Sequence, residues 1–207
     1  MASWDLSKIR DHVTNCFQQD APGYLYYHNL LHTKSVVIHA EEIALFYGLQ
    51  NEDPFVLLAA AWFHDLGHLY DSPVNHEFKS VTLMKDFLTN SYPDEVLEKI
   101  ADTILATRQL ATPKTQLEKI IRDADTYHFG TEEFFLTDGL VKRELEERTT
   151  QKYHHWTEIH FGYCKNMNFI LRIAKTGSIV AKKKIFRYCK KKFETHHKTS
   201  NSFKTSM

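Results

Sequence analysis

Four positions carry side chains that are costly to bury yet interrupt apolar, helix-forming sequence: His32, His64, Asp65 and Asp125. His64 and Asp65 follow directly on LLAAAWF, the most continuously apolar stretch of the chain. An ionised Asp there is expensive unless it is paired, hydrogen-bonded or bound to a metal. His32 opens the preceding amphipathic segment, and Asp125 lies in EKIIRDADTYHFG, whose apolar residues should point inward. Two imidazoles and two carboxylates make a mixed N/O donor set that suits Mn²⁺, Fe²⁺, Co²⁺, Ni²⁺, Zn²⁺ or Mg²⁺. Such an ion lowers the pKa of a bound water and polarises a phosphoryl oxygen, so metal-assisted hydrolysis is the chemistry to expect. Residue type alone does not single these positions out, because the chain has 13 His.

The elements that must position them are helices. Apolar residues recur at helical spacing over most of the first 164 positions. The pattern predicts helices over about 4–19, 32–47, 52–68, 75–89, 94–108, 115–127 and 131–149, with another beginning near Tyr153. Gly48 is the natural stop of the second helix, and Asn75 is a candidate cap for the fourth. The third, apolar nearly all round, should be central and buried. No βαβ alternation, strand series or internal repeat is visible. The expected fold class is all-α, a single-domain helical bundle with the metal site between its central helices.

Composition narrows the function classes. The chain has 207 residues, enough for one well-buried core and short for two full domains. No apolar run approaches the roughly 18 residues of a membrane span. The N-terminal MASWDLSKIRDHV lacks the layout of an export signal. Three Cys without a CxxC pair argue against a disulfide framework or a zinc knuckle. These features lead us to expect a cytoplasmic protein with no membrane partner.

Four segments together resemble a known family. YHNLLHT, AAAWFHDLGH, NHEFKS and IIRDADTYHFG are similar, in order and spacing, to the HD superfamily of metal-dependent phosphohydrolases, especially its small single-domain bacterial members. The resemblance spans roughly residues 24–165. It implies His32, His64, Asp65 and Asp125 as the metal ligands, and Asp125 rather than Asp123 as the acid from RDAD. It also implies that His76, opening the helix after the HD pair, is an additional ligand where two ions are bound. His68 follows His64 at the HxxxH spacing of metal sites, one turn on along the expected helix, and is a candidate ligand or proton donor. His28 is a candidate for the pocket mouth, and Lys34 and Arg122 are candidates to hold phosphate oxygens. Glu77 orients a ligand or serves the first helical turn. Tyr24, Tyr26 and Tyr27 either stack a base or pack the loop.

The implied reaction is in-line attack on phosphorus by a water that the ion activates, in a nucleotide phosphoester or pyrophosphate. Asp65 would orient that water, and His68, His76 or a second ion would stabilise the leaving oxygen. The cofactor is thus one divalent ion or two, and the partner a small nucleotide. The alternative is a regulatory module that holds metal or nucleotide without turnover.

The C-terminal stretch stands apart. Residues 1–164 carry 14 Lys+Arg against 25 Asp+Glu, whereas residues 165–207 carry 12 against 1. Clustered Lys invites a nucleic-acid reading, and polar termini are commonly solvated ends. A third reading fits better. Taken from the third base of each codon, Asn166–Arg172 can yield HEFYTE, and KKKIFRYCKKKFE can yield KENIQILQKEI followed by a stop. Both strings resemble the way members of the family end. We therefore divide the chain into a domain over 1–165 and a tail over 166–207 that is a frameshift product, with no nucleic-acid role.

Overall fold

The segment FVLLAAAWF decides the architecture, because it has no polar face to offer water. In the computed structural model it lies in α3 (Asp53–Phe63), where Val56, Leu57, Ala59, Ala60, Ala61 and Phe63 are all fully buried. Around it pack α1 (Ser7–Asp20), α2 (Leu30–Tyr47), α4 (His76–Leu88), α5 (Asp94–Leu105) and α6 (Gln116–Asp125). The structure describes residues 4–130, 133–154 and 156. Among these, all regular structure is helical: seven α-helices and two 3₁₀ turns, with no strand.

The chain divides into two compact units, Met1–Tyr127 and His128–Met207. The first contains α1 to α6. In the second, α7 (Phe134–Thr149) carries a buried Arg148–Glu144 ion pair at 3.3 Å. Glu146, near its end, accepts hydrogen bonds from the Tyr153 N–H and from Lys152, each at 3.0 Å. The domain boundary drawn at 165/166, where the family resemblance stops, lies outside the described residues, as do the basic tail and nearly all of the helix expected from Tyr153.

Helix ends follow local chemistry. α2 begins earlier than its apolar pattern suggests, because the Asn29 side chain caps it by accepting from the Leu31 and His32 N–H groups. Gly48 ends it in the left-handed region at φ 63°, where a Cβ would be strained. Asn75 does hold the cap position of α4, but its side chain makes no capping bond. Thr115 caps α6 by accepting from the Glu118 N–H at 3.2 Å.

The third helix departs most from expectation. It stops at Phe63 instead of running on to residue 68. Asp65 sits at φ −106°, ψ 1°, in the sparsely populated bridge region, and Leu66–Leu69 continue as a 3₁₀ turn. This break, invisible to apolar periodicity, builds the site.

Candidate metal centre

On a continuous α-helix His64 and Asp65 would diverge by about 100°. The change of backbone after α3 instead turns both toward one buried centre. His64 Nδ1–H donates to the Ala61 carbonyl at 2.9 Å, an oxygen that can only accept, so Nε2 faces inward. His32, held at the N-terminus of α2, and Asp125, in the last turn of α6, complete the group. His32 Nε2 donates to Asp125 Oδ1 at 3.1 Å and lies 3.3 Å from Asp65 Oδ2. His64 Nε2 lies 3.2 Å from Asp65 Oδ2 and 3.7 Å from Asp125 Oδ1.

The other oxygen of Asp65 serves a second group. Asp65 Oδ1 is 3.5 Å from His76 Nε2 and 3.8 Å from His68 Nε2. Residues i and i+3 eclipse in a 3₁₀ turn, which places His68 on the side of Asp65. This corrects the expectation that His68 shares a helix face with His64: with the helix broken, it belongs to the opposite group. His76 Nδ1–H donates to the Pro73 carbonyl at 2.8 Å, so its Nε2 also points to the centre. The His68 and His76 rings stack at 3.7 Å, and His28 stacks on His68 at 4.2 Å.

Two groups able to hold a metal ion thus meet at one carboxylate: His32, His64 and Asp125 on one side, and Asp65, His68 and His76 on the other. Within the centre His64 Nε2 and Asp65 Oδ2 are buried without a hydrogen-bond partner, although 3.2 Å apart. Orphaned donor atoms of this kind, from imidazole and carboxylate, fit a bound divalent ion.

The electrostatics are those of a set of ligands waiting on protons. Burial pulls the His32 imidazole down, but the neighbouring Asp125 and Asp65 carboxylates outweigh it and push the group up to about 10. Burial likewise opposes the charge on His64, and the Asp65 carboxylate overcomes it. Asp65 stays well below the usual carboxylate range, its burial offset by His64, His32 and His76. Asp125 is lowered too, against its burial, chiefly by His32. Glu77 is different: burial pushes its carboxyl up, and its Oε2 lies 3.4 Å from His76 Nδ1.

Other candidates are placed as follows. His28 joins the stacked imidazoles. Lys34 is exposed on α2, about 200° round the helix from His32. The Arg122 guanidinium donates to the Ala111 carbonyl in the loop before α6. Asp123 is buried about 200° round α6 from Asp125. Tyr27 is buried with its ring 4.5 Å from His32, a packing role.

Three residues that the sequence reading passed over hold the centre in shape. Asn29 fixes the first turn of α2 and with it His32. Ser80, fully buried one turn after His76, donates to the His64 carbonyl and accepts from the Gly67 N–H, each at 2.8 Å. Gly67 lets α4 come close: a Cβ there would lie 1.9 Å from the His76 carbonyl oxygen. The signals were an Asn before an apolar run, a Gly inside one, and a Ser on the helix face of His76.

An all-helical core whose helix ends bring histidines and carboxylates to one buried point defines a metal-centre protein of the helical class. Residues 29–130 match the HD domain family, and that stretch of the chain is an HD domain. HD domains are typically metal-dependent phosphohydrolases. No curated protein and no solved structure matches the chain.

Proposed function

We propose that the chain is a metal-dependent phosphohydrolase acting on a nucleotide phosphoester or pyrophosphate, with two divalent ions flanking Asp65. The observation that carries this reading is the division of labour at Asp65, with Oδ2 beside His32 and His64 and Oδ1 beside His68 and His76. His32, His64 and Asp125 would hold one ion, and His68 and His76 the other, with Asp65 shared. When bound, these ions supply an activated water and charge stabilisation at the phosphoryl group. Asp65, between the two groups, would accept a hydrogen bond from a water at the centre and orient it. The stacked His28, His68 and His76 line the opposite side; with His68 and His76 serving as ligands, the charge of the ion they hold would stabilise the leaving oxygen.

The test is a panel of nucleoside mono-, di- and triphosphates and phosphodiesters assayed with Mn²⁺ or Co²⁺. We expect hydrolysis of at least one class, abolished by chelator and by Asp65→Ala. Metal binding without turnover across the panel would overturn this reading in favour of a non-catalytic regulatory module.

A further inference from the structure

α2 is apolar on both sides. Its inner side packs against α3 and α6. On its outer side Leu31, Ile38 and Leu45 are 75%, 54% and 76% exposed. Their seven-residue spacing keeps them within about 40° of one another over about 21 Å of helix. A single exposed leucine needs no explanation, but a stripe at heptad spacing supplies one of the two apolar positions per heptad of a helix-pairing seam. Lys34 and Glu41 border the stripe on one flank, Ser35 and Glu42 on the other, and all four are exposed.

We propose that this face pairs with α2 of a second copy of the chain, antiparallel about a two-fold axis passing by Ile38. That axis brings Leu31 onto Leu45 of the second copy and Ile38 onto its own equivalent. On one flank each Lys34 then meets Glu41 of the second copy, their heights along the helix differing by about 1.5 Å. On the other flank Ser35 meets Glu42. A parallel pairing would instead set Glu41 against Glu42 of the second copy, like charges in register. The charge order therefore selects the antiparallel, self-complementary arrangement. Three layers of side chains bury less than the about 800 Å² per partner of a standard interface. The dimer is accordingly concentration-dependent, not obligate.

Sedimentation velocity of the full chain over a concentration series tests this. The dimer fraction should rise with concentration, and Ile38→Glu, which sets two carboxylates at the axis, should leave a monomer of unchanged helicity by circular dichroism. Lys34→Glu and Glu41→Lys should each weaken association by about tenfold, and the double exchange should restore it. A wild-type chain that stays monomeric at every concentration overturns the proposal, as it would if residues 157–207 or another protein cover the stripe. So does a dimer indifferent to the single exchanges.

Discussion

Asp65 is the residue on which the centre depends, because each of its oxygens faces a different pair of imidazoles. Asp65→Asn keeps the shape but removes the charge that both pairs share. It should lower metal-activated hydrolysis by at least about 100-fold, within the range of general acid–base and electrostatic losses. Steady-state kinetics at saturating metal check this; a loss under threefold would remove Asp65 from the reaction. Proton linkage gives a second prediction. With His32 pushed up to about 10, its imidazole is protonated at neutral pH in the metal-free chain. A metal must displace that proton, so affinity should rise as pH rises toward about 10 and fall as pH drops. Calorimetric titration in buffers of different ionisation enthalpy should show proton release on binding.

At the scale of elements, the centre is set by how α4 seats against the turn after α3. Ser80→Ala strands the His64 carbonyl and the Gly67 N–H, which costs about 1–3 kcal/mol for each buried group left unsatisfied. Gly67→Ala drives a Cβ into the His76 backbone, so it should destabilise the fold and move His76 away from Asp65. Denaturant midpoints, together with the affinity of each variant for metal, check both. The seven helices were legible because α3 and its amphipathic neighbours carry the helical period over many residues. The break at His64–Asp65 was not, since it depends on a close backbone approach between residues 67 and 76 that no local pattern encodes. The four residues that the motifs named are brought together by the fold, while the placement of His68 in the group opposite His64 follows from that break and was not legible. Lys34 and Arg122 were chosen for charge alone, and spacing says nothing of which way a surface cation points.

For the whole molecule, metal binding to the folded state alone must appear as stability. Mn²⁺ at about 100 times its dissociation constant should add about 2.7 kcal/mol and raise Tm over the chelator-treated chain by about 5–10 °C. No helix among the described residues is long and apolar enough to cross a membrane. The charge reversal after residue 164 has its own decisive reading in the coding DNA. If the tail is a frameshift product, the third bases of its codons must give the shifted strings; any codon that cannot do so removes the idea.

The most direct measurement of the proposed centre is the metal content of the purified chain, by mass spectrometry, for wild type, His76→Ala and His32→Ala. Two equivalents in the wild type, about one in His76→Ala and a loss from the other group in His32→Ala are expected. A wild-type chain that retains no divalent metal, and takes up none when Mn²⁺ or Co²⁺ is supplied, would contradict it.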